Sequence, residues 1–380
     1  MARISTFLAL LVLAAASRSA AATEVCGTFS LATEWSAKES PYLVTGDIFI
    51  PANSRLRIGP GVIVRFCKPR PCGMEKGSKE SGKQPPIEQM DWADSAYTGI
   101  KAEGTFYVLG SEDHPVLFEP DEPKPGAVGW DGIRLSGQQA GAAEISFAVF
   151  RGANQAITVD RAGFAIHHSL FEGNNTGVFA GLRGDVAVVN CNFIGNFSAG
   201  IVIRKGGPRM ANNIFAGNRS YGIWADGRPA IQAWNNAFWE NREEACFKCP
   251  YALLDTVDKN ANKDACDRFG NLAADPVFMG TPSFDAAKEA DVRGDTPAHL
   301  VKDAKLAQLE SDASAKAAKA GKGKKKKYFA PVGQGPYLLS KYSKLVDAGK
   351  PGRDFRDRDG SPNDIGMHGG PMSRITSDPF

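Results

Sequence analysis

Charged side chains recur at one place in a repeating part of this chain, and their types suit recognition of an acidic polymer. Carboxylates and basic groups stand 10 to 14 residues after successive phenylalanines. The eight residues are Asp160, Arg161, Arg183, Asp185, Arg204, Lys205, Asp226 and Arg228. Arginine binds carboxylates through two parallel hydrogen bonds, so such a row could hold the uronate units of an acidic polysaccharide. Solvated turns that carry surface salt bridges would give the same pattern, and this alternative stays open.

Three tryptophans offer a second way to bind a sugar polymer. Trp224, Trp234 and Trp239 fall in adjacent copies of the repeating pattern. Exposed indole rings make good anchors for sugar rings because they combine a large apolar face with one polar N–H group. Trp224 therefore joins the candidate ligand-binding residues. Burial of the three rings, or a capping role, is the alternative.

The adjacent histidines His167 and His168 suggest a metal ligand or a general base. Adjacent residues of a strand point to opposite faces, so we do not expect the two rings to bind one ion together. His168 also stands where other copies of the pattern have Asn190, Asn212 and Asn235. We therefore predict a structural role for His168.

Acidic residues near the end of the chain resemble a short calcium loop. Asp357, Asp359 and Asp364 lie around Gly360, and hard oxygen ligands around a glycine turn suit Ca²⁺. The full twelve-residue calcium pattern is missing. The alternative is a turn whose aspartates accept hydrogen bonds from backbone amides. No motif requires a cofactor, so Ca²⁺ is the one ion under consideration.

Seven cysteines indicate disulfides if the chain folds in an oxidising compartment. Cys67 and Cys72 flank a Lys-Pro-Arg-Pro turn, and we expect them to clip the base of a polar loop. Cys246, Cys249 and Cys266 cluster around a second loop. A zinc site there lacks a fourth ligand nearby, which favours structural disulfides.

A repeat of about 22 residues positions most of these side chains. Phenylalanines recur at spacings of 21, 22, 22 and 23, and asparagine follows four of them three residues later. The phenylalanines are Phe150, Phe171, Phe193, Phe215 and Phe238. The apolar runs are only three to five residues long. They are too short for a pair of helices and match short strands joined by tight bends.

Stacking of these copies predicts an elongated coil of strands. Copies about 4.8 Å apart would place each phenylalanine over the next inside the coil. The asparagines would fall at the bends, where they tolerate left-handed backbone and can hydrogen-bond to neighbouring copies. A leucine-rich solenoid or a propeller would show a different period.

Several motifs outside the regular repeat resemble bacterial secreted right-handed parallel β-helix proteins of the pectate-lyase-like architecture. The motifs lie within 40–66, 99–118, 130–135, 274–278 and 335–371, and they include Trp130-Asp-Gly-Ile-Arg-Leu135. The resemblance implies an all-β chain whose fold is a right-handed parallel β-helix, or single-stranded solenoid, over most of 40–371. It says little about activity, because such proteins include lyases, hydrolases, epimerases, adhesins and members without assigned chemistry.

The sequence predicts five segments. They are a signal peptide at 1–22, a lead-in at 23–40, the β-helix at 41–294, a low-complexity basic insert at 295–334 and a C-terminal cap at 335–380. Within the β-helix we expect a loop excursion at 68–95 and a cysteine-containing loop at 242–270. Arg3, the apolar run 7–16 and the alanines at 20–22 indicate export. The expected location is extracellular, at the cell surface or periplasmic, without a membrane span.

Charge argues against a nucleic-acid partner. The formal net charge is +3, and nine lysines against three acidic residues fall between Val301 and Tyr328. The basic charge is therefore concentrated in one low-complexity tract rather than spread over a folded face.

The leading hypothesis is a non-catalytic secreted or surface protein that presents a face to carbohydrate or to a cell-envelope polymer. No acid pair or nucleophile arrangement stands out from the repeat. The alternative is a polysaccharide lyase or glycoside hydrolase that acts on acidic polysaccharide through the Arg/Asp row. The sequence does not indicate the ligand or the oligomeric state.

Overall fold

The computed structural model describes residues 22–70, 96–124, 126–137, 143–226, 231–249, 253–279 and 337–371. These residues form strands β1 to β29 and two short 3₁₀ turns, Ala37–Glu39 and Arg353–Phe355, with no α-helix among them. The first strands are β1 (Thr23–Thr28), β2 (Ala32–Trp35), β3 (Tyr42–Ile50), β4 (Arg55–Ile58), β5 (Ile63–Phe66), β6 (Gly99–Ala102), β7 (Thr105–Leu109), β8 (Val116–Pro120), β9 (Trp130–Ser136) and β10 (Ala143–Ser146).

The regular repeat supplies the middle strands. They are β11 (Ala148–Arg151), β12 (Ala153–Asp160), β13 (Gly163–His167), β14 (Leu170–Glu172), β15 (Thr176–Ala180), β16 (Asp185–Val189), β17 (Asn192–Ile194), β18 (Ala199–Arg204), β19 (Arg209–Ala211), β20 (Ile214–Ala216), β21 (Tyr221–Asp226), β22 (Gln232–Trp234) and β23 (Ala237–Trp239). The last are β24 (Glu244–Phe247), β25 (Asp258–Lys259), β26 (Ala265–Cys266), β27 (Leu272–Ala273), β28 (Phe278–Met279) and β29 (Leu338–Leu339).

The chain winds into a coil with three strands per turn. From β4 to β21, each strand pairs in parallel with the strand three places further along. The strands fall into a 17-stranded sheet and an 8-stranded sheet, here called the long sheet and the second sheet. In the regular turns, a short and a longer strand of the long sheet precede one strand of the second sheet. The all-β class and the stacked coil predicted from the repeat are confirmed.

The coil begins earlier than the sequence suggested. Residues 23–40 were expected to form a lead-in, but they contain β1 and β2, which pair in parallel with β3 and β4. The Trp35 ring stacks on Tyr42 with centroids 4.6 Å apart. Residues 23–40 therefore contribute to the first turn and cover that end of the core.

Phenylalanine rings form a continuous stack inside the coil. Phe150, Phe171, Phe193, Phe215 and Phe238 occupy matching register positions on neighbouring strands. Successive ring centroids lie 4.8 to 4.9 Å apart, and the rings are nearly parallel. Because this spacing equals the separation of hydrogen-bonded strands, ring contact and backbone pairing favour the same register.

Two stacks of asparagines, all buried except the half-buried Asn241, hold the bends of neighbouring turns in line. The first amide ladder is Asn174, Asn196, Asn218 and Asn241, and the second is Asn213, Asn236 and Asn271. In each ladder a side-chain oxygen accepts bonds from the backbone N–H and the side-chain amide of the preceding member, while the side-chain amide also donates to a backbone carbonyl. The polar groups of these buried bends are thereby satisfied.

The C-terminal segment 337–371 packs along the flank of the coil. A second apolar cluster joins outward-facing residues of the short strands, such as Leu170 and Ile214, to Leu345 and Ile365 of this segment. Asn190 donates to Asn363 and to two backbone carbonyls of the segment. The far end of the main core is covered by the cysteine loop, where Cys246, Cys249, Leu253 and Leu254 pack against it.

Replacing a rung of the first amide ladder is expected to lower the free energy of unfolding by about 3 kcal/mol. Asn196→Ala would leave the buried Asn174 N–H without its acceptor and would remove the side-chain amide that donates to the Phe171 carbonyl. Asn175→Ala is the matched control, because Asn175 is half-buried and would lose about 1 kcal/mol or less. Urea unfolding curves measure both. Equal losses in the two variants would contradict a structural role specific to the ladder.

Candidate functional site

The predicted row of charges lies at one edge of the long sheet. Its described acids all have partners, and of its described bases Arg204 is paired while three are not. Asp160 accepts a hydrogen bond from the backbone N–H of Leu182 at 3.2 Å. Asp185 lies 3.7 Å from Arg209, and Asp226 lies 3.4 Å from Arg204. Each described carboxylate of the row therefore has a partner. Arg228 lies outside the described residues.

Three basic side chains of the row are exposed and have no hydrogen-bond or ion-pair partner among the described residues. They stand at corresponding bends of three successive turns and are Arg161, Arg183 and Lys205. Their backbones are left-handed, with φ values of 52°, 52° and 62° respectively. The Arg161 N–H donates to the carbonyl of Leu182, and the Arg183 N–H donates to the carbonyl of Lys205. We call these three residues the basic ridge.

The three tryptophans do not form one surface. Trp224 is half-buried on the outer face of the long sheet, beside Tyr221 and Phe247 at centroid distances of 5.9 and 6.3 Å. Trp234 belongs to the second sheet, and Trp239 packs against the second apolar cluster. Of the three, only Trp224 shares the outer face of the long sheet with a row of aromatic rings.

A polar groove that the sequence patterns did not single out lies on the same outer face. Its polar side chains come from β9 and β12, and the cavity has a volume of about 90 Å³. They are Asp131, Arg134, Asn154, Gln155 and Thr158. Nearby, burial is the largest cause that raises the pKa of Asp47 to about 6; the charge of Asp131 also raises it, while a hydrogen bond from the Gly99 N–H opposes the shift. Asp131 and Arg134 precede the clear repeat and the other three residues lie in its first copy, so only the pairing of β9 with β12 brings the lining together.

Comparison with known proteins identifies the hand of the coil. Residues 127–253 match a family model described as right handed beta helix region. The chain contains a right-handed parallel β-helix. A search of curated proteins and a search of solved structures each found no significant match. The match covers the groove strands and the basic ridge, so both lie on the β-helix itself. In the part of the chain that the structure describes, no helix is long and apolar enough to cross a bilayer.

The histidine pair lies where the C-terminal segment meets the β-helix. His168 has left the strand, with a φ of 50°, so its ring does not point away from that of His167 as expected. The two Nδ1 atoms are 2.9 Å apart, and His168 Nε2 lies 2.9 Å from the carbonyl oxygen of Gly369. His168 is stacked in line with Asn190 and Asn212, which have the same backbone conformation. The predicted structural role agrees with these contacts.

The C-terminal aspartates form a turn tied to backbone amides. Asp357 accepts from the N–H groups of Asp364 and Gly370, and Asp364 accepts from Asp347. Burial raises the pKa of Asp357 to about 8, and it raises that of Asp364 to about 7. Asp359 accepts from the backbone N–H of Ser361. Among the described residues no group of three or more His, Cys, Asp or Glu is arranged for a metal ion. Calcium binding at Asp357, Asp359 and Asp364 stays a prediction.

The cysteines pair differently from the sequence expectation. Cys246 and Cys249 form a disulfide. Cys67 and Cys266 are free thiols, so the expected clip through Cys67 and the bonding of Cys266 are wrong. Cys26 is disulfide-bonded instead, and Cys72 lies outside the described residues. Spacing in sequence does not reveal this, because Cys67 directly follows β5 while Cys266 belongs to the hairpin of β25 and β26.

Three asparagines that match the glycosylation sequon are inaccessible to a modifying enzyme in the folded chain. Asn174, Asn196 and Asn218 are fully buried in the first amide ladder. The motif recurs there because the repeat requires asparagine at the bend. Three predicted segments lie almost wholly outside the described residues: the signal peptide at 1–22, the loop excursion at 68–95 and the basic insert at 295–334.

His168 is expected to make the folded state less stable as the pH falls below about 6.5. Burial is the largest of the causes that lower its pKa well below the usual value, and the charges of His167 and His368 add to it. The neutral form is therefore favoured in the folded state, and its contribution is complete above pH 6.5. Below that pH the unfolded chain binds the proton more readily, at a cost of up to about 1.4 kcal/mol per pH unit.

Between pH 6.5 and 5.5 the original chain should lose stability. We predict that this loss is about 1 kcal/mol smaller in His168→Asn. Asparagine stands at the same position in the next two turns, so it fits the left-handed bend. Exposed His114→Asn is the matched control and should keep the pH dependence of the original chain. Urea unfolding at both pH values measures the difference. An unchanged slope in His168→Asn would contradict the assignment.

Proposed function

We propose that this β-helix protein is exported and binds an acidic polysaccharide, or another anionic envelope polymer, along the basic ridge without cleaving it. The observation that carries the proposal is the alignment of Arg161, Arg183 and Lys205, all exposed and without partners in the described structure. Their backbones stack turn upon turn, at the roughly 4.8 Å spacing of adjacent strands. Repeated positive charge along one line suits a polymer with repeated negative charge.

The state of the neighbouring acids supports retention of a polymer over its cleavage. Asp160, Asp185 and Asp226 are held by the Leu182 backbone N–H, Arg209 and Arg204 respectively. A hydrolase acting through the Arg/Asp row would need one carboxyl group as a proton donor and a second as a base or nucleophile. These carboxylates are instead used in local pairs. A lyase that uses a ridge arginine as base is the competing function.

Aromatic side chains extend the same surface. Arg204 lies over the Phe179 ring at 5.7 Å, and in-register positions on the next strands carry Val202, Trp224 and Phe247. The half-buried rings of Phe179, Trp224 and Phe247 offer apolar area to sugar rings beside the ridge. The proposal includes two further points: that the protein is related to secreted pectate-lyase-like proteins, and that it is located outside the cytoplasm.

The test is binding of polygalacturonate, measured by affinity electrophoresis at low and high salt. Replacing Arg161, Arg183 and Lys205 together by Gln should weaken binding about tenfold or more at low salt, because each exposed charge contributes up to about 1 kcal/mol. High salt should weaken the original protein in the same direction. The control variant replaces Lys38, Arg55 and Lys263 by Gln, which changes the net charge equally at exposed sites off the ridge.

Two results would overturn the proposal. Equal loss of affinity in the ridge and control variants would show only an effect of net charge. Ultraviolet-absorbing unsaturated ends, formed by the original protein and absent with Arg183→Gln, would instead establish a lyase.

A further inference from the structure

The polar groove owes its shape to an irregularity in strand pairing. β12 and β9 pair in register at Gln155 and Gly132, but the register shifts before Ile157 and Ile133. The extra residue, Ala156, makes a bulge in β12. Gly132 has a φ of 128°, and a Cβ atom there would overlap the carbonyl oxygen of Gln155. Bulges bend a strand and redirect side chains, and here the bulge lies beside the cavity of about 90 Å³.

Hydrogen bonds inside the groove orient its amide groups. Thr158 donates its hydroxyl hydrogen to Gln155 Oε1 at 2.8 Å, which leaves the Gln155 amide nitrogen to donate outward. Asn154 donates to Asp131 Oδ1 at 3.3 Å, and Asn175 donates to Asn154 Oδ1 at 3.1 Å. The polar lining is thus arranged before any ligand arrives.

Opposite charges line the groove without pairing to each other. Arg134 is exposed and makes no hydrogen bond or ion pair with the described residues, although Asp131 lines the same cavity. A guanidinium group binds a carboxylate in a planar, two-bond arrangement. A carboxylate such as Asp131 accepts hydrogen bonds from hydroxyl groups. One ligand that carries both a carboxylate and neighbouring hydroxyls can pair with Arg134 through the first and with Asp131 through the second.

Size and charge narrow the ligand class. A cavity of about 90 Å³ has room for roughly six to nine water-sized groups, which corresponds to one sugar ring inserted partway. A neutral sugar would leave the charge of Arg134 without a counter-charge. A phosphate would bring two negative charges towards Asp131 and the nearby Asp47.

We infer that the groove between β9 and β12 binds a single uronate residue, with its carboxylate on Arg134 and its hydroxyls on Asp131 and the Gln155 amide. This inference rests on the proposed function, since it names the acidic sugar that the polymer would contain. The groove would select the sugar type, and the basic ridge would supply affinity for the length of the chain.

The test uses saturation-transfer NMR with the methyl glycoside of glucuronate, and with methyl glucoside as the neutral sugar. The intact protein should bind the uronate and discriminate against the glucoside. Arg134→Gln and Asp131→Asn should each reduce the uronate signal at least fivefold. The off-ridge variant Lys38→Gln should keep the uronate signal in full, since this exposed side chain belongs to neither the groove nor the ridge. Asn matches Asp131 in shape and Arg134 is exposed, so neither substitution should disturb the fold, and unchanged circular dichroism spectra check this.

The outcomes separate the two proposals. No uronate signal, or a signal that survives both groove substitutions, would overturn the groove inference while polygalacturonate binding along the ridge could still hold. A uronate signal lost on Arg134→Gln, in a protein that does not retain polygalacturonate, would support the groove and contradict the ridge. Equal signals from uronate and glucoside would overturn the assignment of Arg134.

Discussion

The structure depends on the requirement that a bend buried between stacked turns must satisfy its backbone polar groups. Asn196 meets this requirement in both directions, because it accepts from Asn174, donates to Asn218 and also donates to the Phe171 carbonyl. An asparagine displaced by one residue would lose all of these partners at once. The ladders therefore hold each turn in a single register, and the stacked phenylalanines give the same register a large apolar contribution.

Because the register is fixed, surface residues that recur once per turn line up along the outside of the coil. Arg161, Arg183 and Lys205 are 22 residues apart, yet they occupy the same bend of successive turns. A slip of one residue in any turn would reverse the side chains between the core and the surface. Basic groups thus line up because asparagine and phenylalanine, elsewhere in the same turn, allow no other alignment. The C-terminal segment protects the opposite flank, where Leu170 and Ile214 would otherwise expose apolar surface.

The fold could be predicted from the sequence because its strongest signal is spaced by one turn, as with Phe171 and Phe193. The candidate site could be predicted only in part. That Asp185 is paired and Arg183 is not depends on Arg209 of the following turn, which no local pattern indicates. The groove arises from a bulge at Ala156 opposite Gly132, where the repeat is irregular.

The failures also have local physical causes. The rule that adjacent residues face opposite ways does not apply to His168, because its left-handed backbone ends the strand. Cys67 was paired with its nearest neighbour in sequence, although in a coil the nearest residues in space belong to other turns. Contacts between turns are fixed by the whole stack, so a search for short motifs does not find them.

A crystal structure with a bound oligogalacturonate tests the central claim most directly, namely that the register set by the ladders aligns a polymer-binding ridge. The account predicts a ligand that crosses successive turns at the edge of the long sheet, with carboxylates at Arg161, Arg183 and Lys205. Ordered ligand on the second sheet, or ridge side chains engaged with neighbouring acids while the ligand lies elsewhere, would contradict it.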